Sequence, residues 1–209
     1  MAGELIKLFP ENPRHSKVEH VAQVLRNGGI VIYPTDTIYG LGCDIFNSKA
    51  VEKLSRIKGL NHKKVNLSFI CYDLSDITKY VSNMSTPVFK VLKKALPGPF
   101  TFVMKASSRT PRSVHNTKKT IGIRIPDNNI PREIVKELGN PIITTSLRNQ
   151  DDILEYLTDP YEIFEIYKNQ VDIVIDGGPG KNEPSTVVDC SDESFTILRD
   201  GIGDIEDYL

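Results

Sequence analysis

Long apolar runs are missing from this sequence. The two most continuous, residues 29–33 (Gly-Ile-Val-Ile-Tyr) and 171–175 (Val-Asp-Ile-Val-Ile), fall far short of the roughly 20 residues a membrane helix needs. A soluble chain is therefore expected. The start, Met-Ala-Gly-Glu-Leu-Ile-Lys, has no basic segment, apolar core or small-residue cleavage site of a secretory signal, so the expected location is the cytoplasm. Cysteine is scarce. Cys43, Cys71 and Cys190 are odd in number and widely spaced, which excludes a disulfide framework and a pair of CxxC metal knuckles, and all three are expected to be reduced and structural. The histidines His15, His20, His62 and His115 lie apart with no HExxH pattern. No dedicated metal site is expected, so any metal would arrive with a nucleotide.

Phosphate-binding glycine loops are absent as well: neither G-x-x-x-x-G-K-[ST] nor G-x-G-x-x-G occurs. Gly177-Gly-Pro-Gly-Lys181 approaches one, but Asn and Glu follow it with no helical pattern behind, so it reads as a turn.

What is present is an ordinary folded composition. The chain has 209 residues, 39% of them hydrophobic and 25% charged, and a single domain over 1–209 is expected. Its formal net charge of -1 hides a division. Residues 49–148 carry 19 Lys and Arg against 6 Asp and Glu, whereas residues 151–209 carry 3 against 16. A basic middle of that size suits anion binding, and equally suits lysines on solvated helix faces such as Lys90, Lys93 and Lys94.

Val18, Val21, Ala22 and Leu25 recur at helical spacing until Gly28-Gly29 stops the helix. The β-branched run 30–34 then enters a proline as a buried strand would. Further helical patterns cover 48–57, 86–95, 131–138 and 160–167, and strand-like runs cover 100–105, 120–126, 141–145, 172–176, 185–190 and 195–199. The interleaving predicts an α/β fold. Because the two C-terminal runs read as a hairpin, the sheet is expected to mix parallel and antiparallel strands, with flanking helices. Residues 149–158 form the best candidate for a mobile surface loop.

Chemistry concentrates in Pro34-Thr-Asp-Thr-Ile-Tyr-Gly-Leu-Gly42, read as a glycine-punctuated loop leaving a buried strand. Thr35 and Thr37 offer hydroxyls, Asp36 can orient a lysine or a water, and Gly40 and Gly42 permit close backbone approach to a ligand. The same residues could also simply close a strand as an Asx-type turn.

The run from Gly28 to Cys43 resembles the N-terminal signature of the YrdC/YciO family. Other segments resemble that family's motifs in order: Lys58-Gly59 its first basic motif, 96–101 (Leu-Pro-Gly-Pro-Phe-Thr) its PGPxT turn, and 120–126 its arginine strand. Thr144-Thr-Ser146, 184–189 (Pro-Ser-Thr-Val-Val-Asp) and 197–201 (Ile-Leu-Arg-Asp-Gly) complete the set. The resemblance spans nearly the whole chain. It implies a twisted α/β sheet with a concave basic cavity, and a nucleotidyltransferase activity joining L-threonine, bicarbonate and ATP, supplied with Mg2+, into threonylcarbamoyl-adenylate and pyrophosphate for tRNA modification. Thr35, Arg124 and Ser185 would then bind threonine, while Lys58, Lys64, Thr120, Ser146 and Arg199 would bind the nucleotide; no protein nucleophile and no protein metal site are implied. Two positions depart from the synthase members. Leu60 stands where they carry the arginine of Lys-Gly-Arg, leaving His62, Lys63 and Lys64 as substitutes, and Arg148 stands at the asparagine of Ser-x-Asn, with Asn149 displaced by one. Both resemble the YciO branch. The chain stops at Leu209, so the further C-terminal domain of longer members is not expected. The alternatives are a protein that hydrolyses or transfers threonylcarbamoyl-adenylate, and a non-catalytic module binding tRNA or double-stranded RNA through the basic middle.

Overall fold

The computed structural model describes residues 2–59, 67–111, 114, 119–147, 156–192 and 194–209. In chain order the elements are β1 (Glu4–Lys7), α1 (His15–Arg26), β2 (Val31–Tyr33), β3 (Gly40–Asp44), α2 (Ser48–Ile57), β4 (Ser68–Ile70), α3 (Leu74–Tyr80) and α4 (Thr86–Ala95). There follow β5 (Phe100–Lys105), β6 (Thr120–Arg124), α5 (Asn129–Leu138), β7 (Ile142–Ser146), α6 (Pro160–Tyr167), β8 (Ile173–Asp176), β9 (Thr186–Asp189) and β10 (Thr196–Arg199). Among the described residues the strands form one ten-stranded sheet, ordered β1-β8-β2-β3-β7-β4-β6-β5-β9-β10.

The inner strands β2, β3, β6 and β8 are buried along their whole length, whereas the edge strands β1 and β10 are mostly exposed, and the side chains of β2 and β8 alternate between two cores. In β2, Val31 and Tyr33 enter one core and Ile32 the other; in β8, Ile173 and Ile175 oppose Val174. Helices α1 and α5 pack together over the first core through Val18, Val21, Leu25, Ile130, Ile134 and Leu138. Helices α2, α4 and α6 cover the second with Val51, Leu54, Val88, Leu92 and Ile163. Parallel ladders join β1 to β8, β2 to β8, β4 to β6 and β5 to β9. Antiparallel ladders join β2 to β3, β3 to β7, β4 to β7, β5 to β6 and β9 to β10. The mixed sheet and the C-terminal hairpin expected from the sequence are both present.

Local sequence explains the punctuation. At Gly28 the backbone takes φ +86°, which ends α1, and a Cβ on Gly29 would lie 2.4 Å from Val24 Cγ1. Residues 40–42, the end of the 34–42 stretch read from sequence as loop, belong to β3 instead. A Cβ on Gly42 would meet Ile142 Cγ2 at 2.5 Å and the Tyr33 ring at 3.0 Å. That glycine makes room for core packing, not for a ligand. The short elements β1, β4 and α3 went unread because four, three and seven residues hold too little periodicity. Of the expected loop at 149–158, residues 149–155 lie outside the described residues. Among the described residues no helix is long and apolar enough to cross a membrane.

Candidate functional site

The same face that α1 and α5 cover carries a cavity beyond their reach. Along β7, Ile142 belongs to the core beneath those helices, while Thr144 and Ser146, the next positions on that face, line the cavity. On β4, Ile70 belongs to that core and Ser68, two residues earlier, is paired with Thr144 on one side and Gly122 on the other. A Cβ on Gly122 would lie 2.5 Å from Ser68 Oγ and 3.1 Å from Thr101 Cγ2, so the glycine keeps the floor open between those hydroxyl residues. The space enclosed is about 310 Å³, walled also by Thr35, Val103, Arg124, Ser185, Val187, Leu198 and Arg199. Volumes of this order hold small ligands.

Arg124 ends β6 with a buried side chain. Its Nη2 donates to Asp36 Oδ1 at 2.5 Å, to Thr37 Oγ1 at 2.7 Å and to Thr35 Oγ1 at 3.2 Å. Asp36 therefore pairs with an arginine, Arg124. The Thr35 hydroxyl donates to the Ile38 carbonyl at 2.7 Å and accepts from the Thr37 N–H at 3.1 Å. The turn at 35–38 thus exists as an ST-type closure, and it also presents Thr35 to the cavity.

On the opposite wall, Thr101 and Ser185 share a hydroxyl hydrogen bond of 2.9 Å across the β5–β9 junction. Arg199 of β10 donates from Nη2 to the Ser185 carbonyl at 2.6 Å and to Ser185 Oγ at 3.3 Å. These neutral acceptors aim the half-buried guanidinium along the wall.

The 177–181 segment, read from sequence as a turn, is irregular chain with a bend at Gly178. Its Gly177 N–H donates to the Tyr39 hydroxyl, which donates to the Gly178 carbonyl at 2.6 Å. Burial pushes the Tyr39 phenol up to about 12, so it stays neutral in this role. The segment clamps an aromatic ring.

Of the residues singled out from sequence, the structure brings together Thr35, Arg124, Ser146, Ser185 and Arg199 on one cavity. Thr120 is buried at the start of β6, two positions before Gly122 and off the cavity wall. Lys58 caps the end of α2, its N–H bonded to Leu54 O, and is likewise off the wall. Lys64, Leu60, His62, Lys63, Arg148 and Asn149 lie outside the described residues. Ser68 was missed, and no spacing in the sequence signals it. Among the described residues no three His, Cys, Asp or Glu side chains gather as metal ligands.

Residues 23–201 match the profile of the Sua5/YciO/YrdC family, described as telomere recombination. The chain is 35% identical to YciO of Escherichia coli over 99% of this chain and all of that protein. The crystal structure of E. coli YciO superimposes with a TM-score of 0.91, covering 99% of this chain and 100% of that one. A Halorhodospira halophila protein named threonylcarbamoyl-AMP synthase is 31% identical, over 66% of this chain and 71% of its own length. The crystal structure of P. abyssi Sua5 complexed with L-threonine gives a TM-score of 0.84 at 25% identity, over 95% of this chain and 57% of that one.

Proposed function

The chain belongs to the Sua5/YciO/YrdC family, and from that premise we propose that its cavity binds L-threonine and ATP and makes threonylcarbamoyl-adenylate. The observation that carries this reading is the pair of arginines, Arg124 and Arg199, lining one hydroxyl-rich cavity. Arg124 is the threonine end. A planar guanidinium matches a carboxylate in a way an ammonium cannot, and the Thr35 hydroxyl lies beside it. Arg199 and Ser146 form the nucleotide end, with Mg2+ carried by the ATP phosphates as part of the substrate.

The chemistry asks little covalent participation from the protein. The threonine amine adds to carbon dioxide released from bicarbonate, giving a carbamate. A carbamate oxygen attacks the α-phosphorus of ATP, and the bond to the pyrophosphate leaving group breaks. Holding the two reactants in line and stabilising the spreading phosphate charge are the protein's contributions. The adenylate would then serve a tRNA-modifying step, which takes the threonylcarbamoyl group onto adenosine.

Incubation with labelled threonine, bicarbonate, Mg2+ and ATP tests this. Pyrophosphate release that requires both threonine and bicarbonate, with a labelled adenylate, is the expected result. An idle protein that binds threonine and hydrolyses supplied threonylcarbamoyl-adenylate would move the activity from synthesis to cleavage at the same site. The paired change Leu60→Arg with Arg148→Asn, which restores the residues of the synthase members, is expected to raise adenylate formation.

A further inference from the structure

Arg124 Nη2 carries two hydrogens, yet three oxygens lie within hydrogen-bond reach: Asp36 Oδ1, Thr37 Oγ1 and Thr35 Oγ1. Meanwhile Arg124 Nε and Asp36 Oδ2 are buried without a hydrogen-bond partner. The ion pair is nearly removed from water, with side-chain exposures of 9% for Arg124 and 10% for Asp36. Arg124 faces the cavity, whereas Asp36 stands behind it and forms no part of the wall. A carboxylate in that position leaves the Arg124 Nε unsatisfied and does not line the cavity. Its main effect on the cavity is through charge.

We infer that Asp36 determines which anions the Arg124 end of the cavity accepts, favouring a singly charged carboxylate and disfavouring phosphate. The inference rests on the reading of Arg124 as the threonine carboxylate's partner. A buried guanidinium alone attracts any anion, and attracts a phosphate dianion more strongly than a carboxylate. With Asp36 at 2.5 Å the pair is close to neutral. A carboxylate can still bind through Nη1 and the adjoining hydroxyls, since the internal contacts engage Nη2. A dianion gains less from a cancelled charge and meets twice the repulsion from Asp36. Since ATP and pyrophosphate occupy the same cavity in the proposed reaction, such discrimination keeps phosphate groups off the threonine subsite. Asp36 is thus a specificity-determining and positioning residue that acts through Arg124.

The test is competition. Threonine binding to the full-length protein is measured by calorimetry, with inorganic phosphate as competitor, in the parent and in Asp36→Asn. The amide keeps an oxygen for Arg124 Nη2 and removes only the charge. Phosphate is expected to displace threonine weakly from the parent. In Asp36→Asn its own affinity should rise on the order of tenfold, the effect of one unit charge at close range in a partly buried site, while that of threonine changes by less. A ratio unchanged within about twofold overturns the inference, as does a loss of threonine affinity without a gain for phosphate, which is what a merely structural residue would give. If Asp36→Asn does not fold, as judged by circular dichroism, Asp36→Ser carries the same expectation and the same refutation. A folded parent that binds no threonine overturns the functional reading and this inference together. Threonine binding with an unchanged ratio overturns the inference alone.

Discussion

One face of the sheet is two different surfaces. Beneath α1 and α5 it is a dry core, mostly Val, Ile and Leu; past them, on β4, β6, β5 and β9 and the far end of β7, hydroxyls, glycine and arginine stand among Val103 and Val187. A single strand crosses the border, since β7 presents Ile142 to one surface and Thr144 and Ser146 to the other. The difference teaches that cover, not strand sequence alone, decides what a position can do. Where a helix lies overhead, burial stabilises the fold; where none of the described helices does, the same pleat exposes groups for binding.

That contrast predicts separable failures. The largest effect belongs to the covered half: Ile134→Ala, at a wholly buried site on α5, should lower stability by about 2–5 kcal/mol. Chemical denaturation measures it, and threonine affinity of the folded protein should stay unchanged. A coupled loss of affinity would erase the distinction between the two halves.

In the open half, Arg124→Lys should weaken threonine binding by about 1–3 kcal/mol, because the charge remains and the fork is lost. ATP binding should move far less. Equal losses for both ligands in calorimetry would show that Arg124 does not divide the cavity into two ends.

Gly122→Ala sharpens the comparison from within the floor. Its new Cβ would press on Ser68 Oγ, which can rotate away, and on Thr101 Cγ2, so a stability loss of about 1 kcal/mol is expected. Ligand affinity should fall more than stability does, reversing the order seen at Ile134.

The smallest effect concerns the cysteines, all of them buried. Burial pushes the Cys190 thiol up to about 12 and those of Cys43 and Cys71 up as well. A raised thiol pKa keeps the protonated form up to that pH, so at pH 8 the folded protein should resist iodoacetamide, and all three should react once it is unfolded. Mass spectrometry counts the labels.

Much of this was legible in the sequence, for physical reasons that vary by residue. The amphipathic helices at 48–57, 86–95 and 160–167 follow from apolar spacing alone and occur with those bounds. The overlap of the 34–42 loop reading with β3, residues 40–42, did not follow: two glycines read as loop chemistry, and only pairing with β2 and β7 makes them strand. Arg124 was visible through its motif, but its ion pair with Asp36 spans 88 residues, a contact no local pattern encodes. The excess of positive charge in the middle and negative charge at the end is in part answered internally, since Lys53 meets Asp172 at 2.9 Å, and the same carboxylate holds the Ile30 N–H.

The cavity draws its walls from Thr35 near one end of the chain to Arg199 near the other, through strands that are neighbours in space but not in sequence. No early folding intermediate built from local contacts can hold this pocket, because closing such loops comes late in a fold of long-range pairings. A ligand seated there is therefore a reporter of complete assembly. By mass action, saturating threonine or nucleotide should raise the unfolding temperature of the sheet as one unit, protecting β1 at one edge as much as β10 at the other.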